Sequence, residues 1–254
     1  MIYWIWLSKV PQIGCHISRA LLKKFHDPEH IYYAEYEQLL QIKGIGPKRA
    51  KLIYNTKCLS QAEKIMENCH KHKIKIMTIN DDIYPKKAKI FDDMPIILYY
   101  KGTPNSDLIN KKSAAIVGAR RCSRQARQTA IDLAVTLSDK GITIVSGMAK
   151  GIDSYAQTAC LKNEGYTIAV LGNGLDICYP IEHGKLMYQI EKNGMLLSEY
   201  ELGIKPQKVY FPRRNRIIAA LSDEIIVVEA KKGSGALITA QYGENYHRKV
   251  IRLM

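Results

Sequence analysis

From residue 113 onward the chain alternates short, unbroken apolar runs with stretches of helical character: Ala114–Val117, Ile142–Val145, Thr167–Leu171, Met195–Ser198 and Ile225–Val228 are the apolar runs. Strands that are apolar along their whole length, instead of at every second residue, are buried on both faces. That is the condition of a parallel sheet whose crossover helices cover it on each side with right-handed connections. The pattern predicts an α/β fold, an extended Rossmann-like domain with a mostly parallel sheet. At 254 residues and 46% hydrophobic content, one large domain and a small appended module are the natural division. The apolar runs, Ile225–Val228 among them, fall far short of the roughly 20 residues of a membrane-spanning helix. The apolar start, Met1–Leu7, lacks the basic flank and small-residue cleavage site of a signal peptide. The expectation is a cytoplasmic protein.

The appended module is visible as an internal repeat. At an offset of 32 residues, Leu7, Val10, Ile13, Gly14 and Leu21 align with Leu39, Ile42, Ile45, Gly46 and Ile53. The second copy, residues 40–50, resembles a helix-hairpin-helix. Gly44 and Gly46 permit a tight turn, Pro47 suits the first position of a helix, and the amides of that helix start can receive a phosphate flanked by Lys43, Lys48 and Arg49. A purely structural hairpin is the other reading, and the first copy lacks one glycine and the flanking charges. We therefore expect a small all-α, SAM-like helix-hairpin-helix domain over residues 1–57 and the Rossmann-like domain over 58–254. The larger domain is expected to open with a helix at 59–73 and strands at Ile74–Ile79 and Ile96–Tyr100.

Cys15, Cys58, Cys69, Cys122, Cys160 and Cys178 form no CxxC pair and read as reduced thiols. Cys69, His70 and His72 lack a second cluster to complete a tetrahedral zinc site, so no metal is expected.

Lys+Arg 38 against Asp+Glu 24 gives a net charge of +14, which favours polyanionic partners. The lysines are spread along the chain, but Arg120, Arg121, Arg124 and Arg127 form one cluster and Arg213, Arg214 and Arg216 another. Arginine offers a planar fork for phosphate and a face for base stacking, so these clusters point to nucleic acid more sharply than net charge does.

In parallel sheets ligands bind beyond the carboxyl ends of the strands. After the first run come Gly118, Arg120, Arg121 and Ser123, an anion-binding turn. After the second come Ser146, Gly147 and Lys150, able to hold a phosphate, with Asp153 expected to cap the next helix. Before a later helix lie Phe211, Arg213, Arg214, Asn215 and Arg216, read as a basic loop with an aromatic platform. These rim residues are expected to form one pocket. Neither GxGxxG nor GxxxxGK[ST] is present, so no nucleotide cofactor is expected. His183 and His247 are isolated, and no catalytic set converges. The alternative is a nucleotide-hydrolysing Rossmann-fold enzyme, for which Asp153 and Glu229 are the carboxylates to weigh.

Five segments in order, Ile116–Arg121, Ser146–Asp153, Ala169–Asp176, Phe211–Ala219 and Ser234–Ala240, resemble the DNA-processing protein A (DprA/Smf) family across essentially the whole chain. The resemblance implies a non-catalytic bacterial protein that binds single-stranded DNA, protects incoming strands during natural transformation, and loads a RecA-type recombinase, usually as a homodimer. It matches the family's DNA-binding arginine to Arg120, its motif lysine to Lys150 and its basic loop to Phe211–Arg216. Family members continue beyond the position of Lys249–Met254, so the C-terminal end reads as shortened, which bears on any dimer or recombinase surface there.

Overall fold

In the computed structural model, which describes residues 1–253, the expected alternation becomes eight strands and thirteen α-helices. Met254, the last residue of the expected larger domain, lies outside the described residues. The chain begins with α1 (Ile2–Lys9), α2 (Cys15–Phe25), α3 (Pro28–Tyr33), α4 (Tyr36–Leu40), α5 (Pro47–Asn55) and α6 (Ser60–Lys71). It continues through β1 (Lys75–Thr78), α7 (Lys86–Lys89), β2 (Ile97–Gly102), α8 (Ser106–Asn110), β3 (Ser113–Gly118), α9 (Arg124–Asp139), β4 (Thr143–Ser146) and α10 (Ile152–Lys162). The remainder is β5 (Thr167–Leu171), α11 (Gly184–Asn193), β6 (Met195–Ser198), α12 (Tyr210–Leu221), β7 (Glu224–Val228), α13 (Gly235–Asn245) and β8 (Lys249–Leu253).

The sheet order is β1-β2-β6-β5-β4-β3-β7-β8. All pairs are parallel except β1 with β2 and β2 with β6, so the strands read from the sequence as a parallel set do form one. The chain steps outward from β3 through β4 and β5 to β6, then returns to place β7 on the other side of β3. That reversal opens a crevice at the carboxyl ends of the central strands, where ligands of such sheets bind. The strands alternate which face they feed. Ile116, Ile144, Ile226 and Val228 pack with the alanines of α9 and α10, Ala126, Ala130, Ala134, Ala156 and Ala159. Ala115, Val117, Val145, Ile225 and Val227 pack on the other face with Ile217, Ile218, Ala236 and Ala240 of α12 and α13. The small residues on α9 and α10 let two helices lie close side by side over one sheet face.

The repeat in the sequence is a repeat in space. Leu7, Leu21, Leu39 and Ile53 are fully buried. Ile13 N–H donates to the Val10 carbonyl at 3.2 Å, and its counterpart Ile45 donates to Ile42 at 3.0 Å. Gly14 and Gly46 cap α2 and α5 with nearly the same backbone, φ −85° and −87°. The turn before each cap needs a left-handed residue. The second copy supplies Gly44 at φ 89°, whereas the first uses Gln12 at φ 61°. The apolar core is continuous from this module into the sheet domain. Among the described residues no helix is long and apolar enough to cross a membrane.

Candidate nucleic-acid interface

The turns after β3, β4, β5 and β7 come together at one sheet edge because the strands run parallel. The turns after β3, β4 and β5, with the start of α12, enclose a small cleft lined by Arg120, Gly147, Ala149, Lys150, Tyr179, Pro180, Phe211 and Arg214. Arg120 leaves the end of β3 and holds its guanidinium 5.7 Å from the centre of the Phe211 ring. Phe211 also lies against Tyr179, with ring centres 5.4 Å apart. Across the cleft Lys150 is largely exposed and pairs with Glu182, whose carboxyl the ammonium holds below its ordinary range. Two cations thus face an aromatic floor at an open edge.

Gly118 is needed for packing. A methyl there would overlap the Val228 carbonyl of the neighbouring strand and the Ile152 side chain. Ser123 starts α9, its hydroxyl accepting from Ala126 N–H at 3.1 Å and donating to Glu229 at 2.6 Å. Arg121 is exposed beside it. The Ser146 hydroxyl does not face a ligand. It is buried and donates to the Ile116 carbonyl at 2.7 Å, tying β4 to β3. Asp153 is not the cap of α10, a position that falls to Gly151. It is buried in the first turn and reaches back to accept the Gly147 N–H at 3.1 Å. Burial raises its pKa, against the pull of Arg214 and the amides of Gly147 and Ala149.

The largest departure from the sequence reading concerns Phe211–Arg216. The segment is the opening of α12, not a loop, because Pro212 is tolerated where a helix's first N–H groups have no partner. Successive helical residues are about 100° apart, so four neighbouring polar side chains cannot share one pocket. Arg213 is exposed. Arg214 turns inward, donating to Gly147 at 2.8 Å, to the Val170 carbonyl and to Asn215 Oδ1 at 3.1 Å. Burial lowers its pKa to about 10, with Asp153 opposing, so it stays charged at neutral pH. Asn215 donates to the Gly235 carbonyl at 3.0 Å, tying α12 to α13. Arg216 points toward the helical module. It makes a two-pronged pair with Glu199 at 2.8 Å on each oxygen and donates to the Asp93 carbonyl at 3.0 Å. Its burial would lower its pKa, but the Glu199 carboxylate raises it above the ordinary value. Of the residues read from the sequence, the cleft therefore gathers Arg120, Gly147, Lys150, Phe211 and Arg214, and leaves Arg213, Asn215 and Arg216 outside.

The sequence reading missed Ala149, Tyr179 and Pro180. Ala149 falls in the segment Ser146–Asp153, but Tyr179–Pro180 lies in the long connection after β5 with only its proline to mark it. That connection is anchored where His183 Nδ1 meets the Met148 carbonyl at 3.0 Å, so the lone histidine holds the wall of the cleft in place.

Residues 75–254 match the family described as DNA recombination-mediator protein A, and residues 7–56 match the SAM-like helix-hairpin-helix tandem. Protein Smf of Synechocystis sp. is 35% identical over 257 residues, covering 99% of this chain and 64% of its own length. DNA processing protein DprA of Streptococcus pneumoniae is 43% identical over 176 residues, covering 69% of this chain and 61% of its own. The chain thus spans less than two thirds of the length of these curated relatives. The X-ray structure of DNA processing protein A from Streptococcus pneumoniae superposes with a TM-score of 0.84 at 34% identity, over 99% of this chain and 86% of that one. The structure of DNA processing protein A from Helicobacter pylori, described for its single-stranded DNA binding mode, gives 0.64 at 35% identity over 71% and 81%.

Proposed function

The chain belongs to the DNA recombination-mediator protein A family, and from that membership we propose that it binds single-stranded DNA at the cleft between Arg120 and Lys150. In this reading it is a recombination mediator. It protects incoming strands in the cytoplasm during natural transformation and passes them to a RecA-type recombinase as a homodimer, without chemical turnover of its own.

The observation that carries the reading is the pairing of Arg120 and Lys150 across a floor made by Phe211 and Tyr179. Cations at the mouth of such a cleft track a phosphate backbone, and an aromatic floor accepts any base by its flat face, which gives binding without sequence preference. The Helicobacter pylori relative, solved for its single-stranded DNA binding mode, supports the same chemistry here. The hydrolase alternative has less to draw on. Asp153 is buried under the Gly147 turn and Glu229 is committed to the start of α9, so neither carboxylate is free to activate water.

The test is a titration against single-stranded, duplex and mononucleotide ligands over a salt series. Preference for the single strand, with log affinity falling by roughly 0.7 per phosphate contact against log salt, supports the proposal. Equal or tighter duplex binding, a salt-independent affinity, or nucleotide turnover abolished by Asp153→Asn overturns it. Recombinase loading is tested separately, by following filament assembly on single strands with and without the protein.

A further inference from the structure

The first turns of α9 carry basic surface that the cleft does not use. Arg124 and Arg127 stand three apart at the start of α9, the spacing that keeps side chains on one side of a helix, and Arg121 lies just ahead of the Ser123 cap. All three are exposed, and none enters an ion pair among the described residues. Glu229, the acid packed at the start of α9, is occupied by the Ser123 N–H at 2.9 Å and the Ser123 hydroxyl at 2.6 Å. The Arg127 guanidinium lies 4.5 Å from the centre of the Tyr155 ring on α10. The helix that carries Tyr155 is tied to the turn that carries Arg120. Ile152 N–H, at the start of α10, donates to the Ala119 carbonyl beside Arg120 at 3.2 Å, and Tyr155 follows within one helical turn.

We propose that this strip is a second binding segment for single-stranded DNA, in which Arg121 and Arg124 take successive phosphates and a base stacks on the Arg127–Tyr155 pair. A guanidinium held over a phenol ring keeps N–H donors for phosphate, and the two planar groups together offer a surface on which a base can stack. Three arginines without carboxylate partners keep their full attraction for a backbone and release counterions when they meet it. The inference rests on the reading of the cleft as a single-strand site and adds a direction to it. The strand leaves the cleft across α9 and α10, and not across α12.

Oligothymidylates of about 5 and about 20 nucleotides separate the two segments, since the shorter fills the cleft alone. The doubly substituted Arg124→Ala, Arg127→Ala protein should bind the short oligonucleotide like the parent and the long one about tenfold more weakly. Its salt slope on the long oligonucleotide should be shallower by roughly 0.7, the one phosphate contact assigned to Arg124. Tyr155→Leu should weaken only the long complex, and Tyr155→Phe should restore it. Circular dichroism confirms folding of each variant. Unchanged long-strand affinity, or equal loss at both lengths, overturns the inference while leaving the cleft standing. Parent-like binding of both lengths by Arg120→Ala removes the cleft, and the inference with it.

Discussion

Asp153 and Arg214 hold Gly147 from its two sides: the Asp153 carboxylate accepts the Gly147 N–H at 3.1 Å, and the Arg214 guanidinium donates to the Gly147 carbonyl at 2.8 Å. The turn that presents Lys150 is set by two buried charges, one from α10 and one from α12. Removing one member of a buried charge arrangement strands the other and costs about 3–5 kcal/mol. Arg214→Ala should lower the free energy of unfolding in urea by that amount. Arg214→Lys should not rescue it, because a point ammonium cannot reach Gly147, Val170 and Asn215 together. A variant as stable as the parent would show that the turn holds itself.

Arg120 and Lys150 should behave in the opposite way. Both are exposed at the cleft mouth, so Arg120→Ala and Lys150→Ala should change stability by no more than about 0.5 kcal/mol. Each should weaken single-strand binding by about 1–3 kcal/mol, the range of charge-assisted contacts. Lys162→Ala, on the exposed end of α10, is the control and should bind like the parent. Anisotropy titrations of the three variants decide the matter.

Gly118→Ala should be a folding defect and not a binding defect. The added methyl meets the Val228 main chain, which cannot move without breaking the β3–β7 ladder. We expect a loss of about 1–3 kcal/mol, as for overpacked cores, read by thermal unfolding. The same change at Gly14, where nothing lies within 4 Å of the new carbon, is the comparison and should cost much less.

Asp223 should leave a mark on acid stability. Burial alone would raise its pKa, but Lys87 Nζ at 2.6 Å and the Ser113 N–H at 2.8 Å bring it below the ordinary 3.8. A carboxyl with a depressed native pKa contributes stability that is present above its unfolded value and lost as pH falls through its native one. Asp223→Asn should therefore be less stable than the parent near neutral pH, with the gap narrowing below about pH 4. A gap that stays constant with pH would remove the ion pair as its cause.

Gln12→Gly should stabilise the protein. Gln12 occupies the left-handed position that Gly44 fills in the second copy of the hairpin, at φ 61° against 89°. Relief of that strain is worth about 1 kcal/mol, less the entropy glycine loses on folding. A rise in melting temperature is the expected result, and a fall would mean the Gln12 side chain has an energetic role of its own.

The sheet was legible because fully buried strands must be apolar at every position, and the repeat because both copies bury the same side chains, Leu7 with Leu39 and Leu21 with Ile53. The site was legible only in part. An arginine's letter does not say whether its guanidinium faces water, as Arg120 does, or braces a turn from inside, as Arg214 does. What separates them is the backbone beneath. Reading Phe211–Arg216 as a loop let four polar side chains point one way, whereas on a helix Arg213 and Arg216 face one groove and Arg214 and Asn215 turn into the protein. Tyr179 was missed for a related reason: its place in the cleft depends on a long connection held by His183, and no local pattern encodes that.

The two hairpins are built alike and placed differently. Cys15, the first residue of α2, lies 3.8 Å from Arg216 Nη2 and lines a groove with Asp93 and Glu199, while its counterpart Pro47 stands exposed at the head of α5. Any change at the first turn is felt by the sheet domain, whereas the second turn presents Gly46, Pro47, Lys48 and Arg49 to solution. The copies should therefore drift apart at unequal rates: the first held to its present chemistry by a fixed neighbour, the second free to acquire a new one.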